Sequence, residues 1–220
     1  MLEWLTEHVD LISALSSIGM LVIWILYLQL FFLTYQKQRR PNLFIHQANG
    51  FDLDSRCVIA NMSQTAVHVA AVLIDVDRGD DHLTFQPGDS DHSETEDPLA
   101  RTREGPLPTA SYLDVGSFGA LLDTADASSP GSVASDDTID AMVTVRVVAF
   151  VGSELYPVGA QRQFEVSGER DEADVRPVST LQKHYSNRWQ RRIAKRWLEE
   201  AESREVGGGA KATPKTRSEA

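Results

Sequence analysis

Acidic residues gather in one stretch of the chain, where their carboxylates are suited to holding a metal ion. Residues 75–97 contain seven Asp, two Glu and two His. Oxygen ligands suit Ca²⁺ and other divalent cations, so a cation-responsive site is one hypothesis for this segment. The spacing does not match the calcium-binding loop, which needs a glycine sixth and a glutamate twelfth. A solvated acidic loop is the simpler interpretation, and we expect neither a metal nor a cofactor.

Other residue types that carry chemistry are sparse. Cys57, the single cysteine, lies in a predicted strand, where we expect a small buried side chain. His46 and His68 also fall on predicted strands, and His82 and His92 resemble no compact metal spacing. The sequence contains no nucleophile elbow, phosphate-binding glycine loop or HExxH motif. We therefore do not expect an enzyme, although a catalyst assembled from distant residues would carry no such motif.

Aromatic and basic residues near the C-terminus recur in the pattern of a surface-binding helix. An aromatic or aliphatic residue returns every four positions from Leu181 to Trp197, and six Lys and Arg lie between Lys183 and Leu198. We predict a basic amphipathic helix over 178–206, followed by a disordered tail over 207–220. The side chains expected to contact a membrane or a partner are Tyr185, Arg188, Trp189, Arg191, Arg192, Ile193, Lys195, Arg196 and Trp197.

Three kinds of interaction compete for this helix. It could dock on the acidic middle domain, because opposite charges attract. It could lie on an anionic leaflet, with tryptophans among the headgroups and basic side chains at the phosphates. It could also bind another protein or a nucleic acid, or stay solvated. Nucleic acid is not expected, since one helix beside an acidic domain is thin support for it.

The residues that must position these groups lie in a series of short predicted strands. The strand-like runs are residues 42–47, 56–62, 67–77, 141–151 and 161–166, and residues 83–86 and 120–122 are shorter candidates. The run 141–151 alternates valine with other residues, which indicates one buried face. The pattern predicts a mainly-β domain over 42–168, an antiparallel sandwich with an immunoglobulin-like arrangement as one form of it. Residues 79–135 are poor in apolar runs, so we expect long loops and no amphipathic helix there.

The negative charge of the chain belongs to this middle domain. Residues 42–168 contain 20 acidic residues against six Arg and no Lys, whereas residues 169–220 contain 12 basic and nine acidic residues. Binding to phosphates relies on clustered Lys and Arg. The middle domain is therefore not expected to bind nucleic acid.

An uncharged stretch near the N-terminus predicts a single transmembrane helix over residues 11–36. Its apolar core runs from Leu11 to Leu33, which at about 1.5 Å per residue is long enough to cross about 30 Å of hydrocarbon. Acids precede this stretch and basic residues follow it, unlike a signal peptide: Glu3, Glu7 and Asp10, then Lys37, Arg39 and Arg40. The positive-inside rule places residues 1–10 outside the cell and the C-terminal domain in the cytoplasm.

Two serines in this helix allow close approach of a second helix. Ser13 and Ser17 form a small-xxx-small pair, which is typical of helix association in membranes. Such pairs also arise by chance in apolar helices. Homo-oligomerisation through Ser13 and Ser17 is therefore one interpretation, and plain lipid exposure is the other.

These patterns together predict a single-pass protein of the cell membrane. Its cytoplasmic domain is expected to be a non-enzymatic binding or scaffold module, with the lipid bilayer and an unidentified protein as partners. The alternative is a cation-responsive or sensory module that uses the acidic loops 75–97. An enzyme without a recognisable motif comes third.

Overall fold

The chain divides into two compact units, Met1–Arg40 and Pro41–Ala220. A computed structural model describes residues 9–38, 42–79, 81–87, 104–128, 138–152, 155–187 and 189–207. Within those residues the first unit contains one helix, and the second contains ten strands and two helices.

The first unit is a single long helix, α1, over Val9–Gln38. No charged residue lies between Ser13 and Thr34, and the side chains in that range are exposed. By length and composition α1 is able to cross a membrane. The helix predicted over 11–36 is therefore confirmed. Ser17 Oγ donates a hydrogen bond to Ser13 O within the helix, at 2.9 Å.

The second unit is built on two antiparallel sheets. Its strands are β1 (Leu43–Ala48), β2 (Arg56–Asn61), β3 (Val67–Arg78), β4 (Asp81–Phe85), β5 (Gly105–Leu107), β6 (Tyr112–Ser117), β7 (Thr138–Val151), β8 (Val158–Glu169), β9 (Asp174–Pro177) and β10 (Lys183–Tyr185). The smaller sheet has the order β1-β2-β6. The larger has the order β10-β8-β7-β3-β4, with β5 paired to β3 and β9 paired to β8. The mainly-β prediction is confirmed.

The main core lies between the two sheets and follows the strand register. Val143 on β7 pairs with Val76 on β3 and with Phe164 on β8, which places one apolar row across the larger sheet. Ile45 and Ile59, on the smaller sheet, are fully buried in the same cluster. The alternation predicted for β7 is therefore what buries its valines.

Helix α2, over Phe118–Ser128, lies where we predicted long loops, a short strand at residues 120–122 and no helix. That prediction was wrong for residues 104–128, which also contain β5 and β6. The residues of α2 that face the core are Phe118, Leu121, Leu122 and Ala125, a helical spacing that is too short to stand out among the flanking polar residues. The Phe118 ring lies 4.9 Å from the Phe164 ring. Of the predicted loop region 79–135, residues 80, 88–103 and 129–135 lie outside the described residues.

Helix α3, over Arg191–Gly207, begins later than the predicted helix over 178–206. Lys183–Tyr185 form β10 instead, paired with β8. The Gln182 side chain also binds β1, because its Oε1 accepts from Ile45 N at 2.8 Å and its Nε2 donates to Leu43 O. These long-range hydrogen bonds favour extended backbone over the helix that the four-residue spacing predicted. The tail after Gly207 is not among the residues that the structure describes.

Candidate functional site

Helix α3 packs across the outer face of the larger sheet, the face turned away from the main core. Ala194, Trp197 and Ala201 are at most 9% exposed and fall at helical spacing on one side of α3. A second apolar cluster joins Trp197 and Ala201 to the sheet residues Ala71, Leu73 and Val148. Helix α3 is therefore a third layer of this unit.

Trp197 occupies a space that a glycine leaves open. A Cβ atom on Gly159 would lie 3.0 Å from Trp197 Cζ3 and 3.3 Å from Ala194 Cβ. On β10, the Tyr185 ring meets the Trp197 ring edge-on at 4.8 Å between centroids, and its hydroxyl donates to Gln161 Oε1 at 2.9 Å. Any larger residue at position 159 would push the indole away from the sheet.

A polar network lies beside Trp197 and joins the helix to the sheet. Arg146 Nη2 is 2.5 Å from Asp75 Oδ1, and Arg146 Nη1 is 3.0 Å from Glu200 Oε2. Arg204 donates to Glu200 Oε1 at 3.2 Å and to Thr84 O at 2.7 Å. If α3 left the sheet, Arg146 would lose one of the two carboxylates that bind it. This loss would be unfavourable, because a buried charge needs partners.

Glu200 and Arg146 keep their charges at neutral pH. Burial raises the pKa of Glu200, but hydrogen bonds and charges from Arg146 and Arg204 outweigh that effect and hold the pKa below its ordinary value. Burial lowers the pKa of Arg146, but Asp75 and Glu200 outweigh it in turn and raise the pKa. Arg146 and Glu200 are therefore both ionised while α3 is docked.

The structure separates the predicted contact residues into two groups. Tyr185, Ile193 and Trp197 pack on the sheet. The residues exposed to solvent are Trp189, Arg192, Lys195 and Arg196. Arg191 is partly exposed, and its Nε donates to Ser186 O at 2.9 Å. Arg188 lies outside the described residues.

The contact between α3 and the sheet has the opposite charge pattern from the one we considered. We considered a basic helix attracted to an acidic domain, whereas here an arginine of the sheet, Arg146, binds a glutamate of the helix, Glu200. Apolar packing around Trp197 adds to this contact. The Arg192 guanidinium instead lies 5.4 Å from the centroid of the exposed Trp189 ring. Contact of these exposed residues with lipid or with a partner stays a prediction.

The outer face of the smaller sheet carries an open groove of about 450 Å³. Its volume falls in the range of ligand pockets, about 300–1,000 Å³. The groove follows β2, because that strand places short side chains between longer ones on both neighbouring strands. The two cross-strand rows, each with its small residue in the middle, are Phe44, Ala60 and Tyr112, and His46, Val58 and Asp114.

The groove has an apolar floor. Val58 and Ala60 point away from the main core and yet are only 7% and 6% exposed, because the walls stand above them. Met62 lines one end of the groove and Asn49 the other. The floor therefore favours apolar side chains over charged ones.

The walls of the groove carry no unbalanced charge among the residues described. Arg56 Nε lies 2.5 Å from Asp114 Oδ2, and Asp114 Oδ1 accepts from Gly116 N at 2.9 Å. Burial, helped by the charge of Arg162, lowers the pKa of His46 below its ordinary value. The imidazole is therefore neutral at pH 7.

The acidic segment considered for cation binding is only partly described. Asp75 holds Arg146 and accepts from Thr84 Oγ1 at 2.7 Å. The Asp77 Oδ1 atom lies 2.5 Å from His82 Nδ1. Among the residues that the structure describes, no group of three His, Cys, Asp or Glu side chains is placed to hold a metal. Residues 80 and 88–97 of this segment are not described.

Three further residues lie in the elements predicted for them. Cys57 is fully buried in β2. Ser13 and Ser17 are exposed on α1. Self-association through the two serines stays a prediction.

Comparisons with protein-family models, with curated proteins and with solved structures find no match to this chain. The immunoglobulin-like form of the sandwich therefore stays a prediction. The groove and the docked helix are the two features from which a function can be inferred.

Sequence reasoning missed the groove and the buried network. Arg146 gave a usable signal, since it is the one charged residue in the apolar run 141–151 and a charge there needs a buried partner. Val58 and Ala60 gave no such signal, because small residues make a groove only when the neighbouring strands are known.

Two tryptophans provide a matched test of the docked helix. Trp197→Ala should lower the free energy of unfolding by about 3–5 kcal/mol, because the deletion leaves a cavity under α3. Trp189→Ala, at a side chain that is 75% exposed, should change it by about 0.5 kcal/mol or less. The measurement is urea unfolding of the full chain in detergent micelles, followed by far-ultraviolet circular dichroism. Equal effects of the two substitutions would contradict the burial of Trp197.

Proposed function

We propose that this chain is a membrane-anchored, non-enzymatic binding module whose groove along β2 holds an extended apolar segment of a partner protein. The observation that carries the proposal is the register that puts Val58 and Ala60 between longer side chains. An extended segment rises about 3.3 Å per residue, so six residues match the length of β2.

The chemistry of the groove supports an apolar, uncharged occupant. Arg56 and Asp114 already neutralise each other at 2.5 Å, and His46 carries no charge at pH 7. A partner that brought a charge into the groove would lose hydration without gaining an opposite charge. Apolar side chains, by contrast, would remove the exposed Met62 and Tyr112 of the groove from water.

The edge of β1 is less suited to a partner strand than the face of the sheet. Gln182 occupies Leu43 O and Ile45 N on that edge. Arg162 Nη1 donates to Ile45 O at 2.6 Å. Side chains therefore cover the hydrogen-bonding groups that an added strand would need.

Anchoring by α1 is the second part of the proposal. Three acids precede the uncharged stretch, and Lys37, Arg39 and Arg40 follow it. The positive-inside rule then orients the N-terminus outside and the second unit in the cytoplasm. In that membrane the Ser13 and Ser17 pair would be the contact of a homo-oligomer.

The cation-responsive alternative has less support. Asp75 and Asp77 already bind Arg146 and His82, so their carboxylates are directed to protein partners. An enzyme remains third, since the groove combines an apolar floor with a neutralised ion pair.

Filling the groove tests its role. A photoreactive amino acid at Ala48, on the groove wall, should cross-link a partner in intact membranes. Ala60→Trp should abolish the cross-linked product, because the indole fills the groove. The matched Ala127→Trp, on an exposed position of α2, should leave the cross-linked product unchanged. A photoreactive amino acid at Val178 should give no such product. A cross-link that survives Ala60→Trp would overturn the groove as the binding site.

The orientation is tested with protease added to intact cells. Residues 42–220 should stay whole, because the bilayer separates them from the enzyme. Permeabilised cells serve as the control in which the same residues are cut. Cleavage of the β domain from outside would contradict the cytoplasmic assignment.

A further inference from the structure

One end of the second unit, here called the tethered end, carries the residue through which the chain continues to α1. That residue is Asn42, whose carbonyl accepts from Met62 N at 2.9 Å. Strand register brings the ends of many strands to this end, as the pairs Leu43 with Asn61, Val67 with Val151 and Gly159 with Tyr185 show. The connections β2–β3, β5–β6, β7–β8 and β10–α3 therefore all turn there.

Large apolar side chains stand out from these connections. Met62 is 60% exposed, Leu155 90%, Tyr156 64% and Trp189 75%. They come from three connections that are far apart in the sequence. Single exposed apolar residues are ordinary on a soluble surface. Tryptophan and tyrosine gathered with aliphatic residues are what the interface of a membrane favours.

Acidic residues collect at the opposite end of the unit. The connections β1–β2, β3–β4 and β8–β9 turn there, and the acids in or beside them include Asp52, Asp54, Asp77, Asp81, Asp171 and Glu172. In the sequence of the four connections at the tethered end, Glu154 is the one acid. Anionic lipid would repel the acidic end and not the tethered end.

The basic turns of α3 add positive charge at the tethered end. The first two turns of α3 contact Gly159 and Tyr185, at the tethered end. Later in α3, Arg204 contacts Thr84, near the other end of the sheet. Its exposed basic residues, Arg192, Lys195 and Arg196, all lie in the first two turns. Apolar tips and cationic side chains therefore share one end of the unit.

We propose that the tethered end rests on an anionic membrane surface. Leu155, Tyr156 and Trp189 enter the headgroup layer, and Arg192 and Arg196 contact lipid phosphates. Four residues join α1 to β1 and, fully extended, the connection spans at most roughly 18 Å. The inference rests on the anchoring in the proposed function and does not depend on the groove.

The test uses the full chain, one molecule per lipid nanodisc, so that a second copy cannot cover the surface. An environment-sensitive fluorophore on Leu155→Cys should shift to the blue and be quenched several-fold more by nitroxide-labelled headgroups than the same probe on Phe51→Cys. Phe51 is the matched control, 65% exposed in the β1–β2 connection. The native Cys57 is fully buried and does not compete for label. Equal quenching at the two positions overturns the proposal.

A second measurement separates this inference from the anchoring itself. Trp24 on α1 should be quenched by lipids that carry the nitroxide deep in the bilayer. Absence of that quenching would overturn the anchoring and the inference together. Quenching of Trp24 without quenching at position 155 would overturn the inference alone.

A double variant tests the contribution of the basic side chains to the membrane contact. Raising the anionic lipid fraction should increase quenching of the probe on Leu155→Cys when Arg192 and Arg196 are unchanged. Arg192→Gln with Arg196→Gln should remove that increase while leaving the quenching in neutral lipid, because the aromatic contact does not depend on charge. An increase of equal size in the variant would overturn the phosphate contacts.

Discussion

Strands β3 and β7 bury side chains on both of their faces, so both faces of the larger sheet have to be covered. The smaller sheet covers one face, where Val143 and Val145 are fully buried. Helix α3 covers the other, where Leu73 and Val148 are equally buried. An apolar sheet face of this kind left open to water would promote association with other chains. The C-terminal helix is thus a layer of the domain, and Trp197, seated over Gly159, is its main apolar contact.

The docked position of α3 also determines where its exposed side chains lie. Trp197 and Glu200 turn inward, so the exposed cations of the first two turns are held at the end of the unit where Asn42 enters. The groove along β2 lies on the opposite side of the unit, on the outer face of the smaller sheet. The proposed membrane contact and the proposed partner contact therefore use different surfaces of the domain, apart from Met62, which lines one end of the groove and is also exposed at the tethered end.

Part of this arrangement is predictable from sequence, and the limit has a physical cause. The uncharged run 11–36 and the alternation over 141–151 are local patterns, and α1 and β7 follow from them. Strand β10 is not local, because its extended form depends on pairing with β8. The contact of Arg146 with Asp75 joins positions 71 residues apart. The groove likewise requires the register of three strands, one of which the sequence did not indicate.

Amide hydrogen exchange of the full chain in nanodiscs tests most directly whether α3 is a layer of the domain. If it is, the amides of residues 194–204 exchange as slowly as those of β7, because the helix opens only when the domain opens with it. Exchange of those amides at the rate of an isolated helical peptide, with β7 still protected, would contradict the third layer.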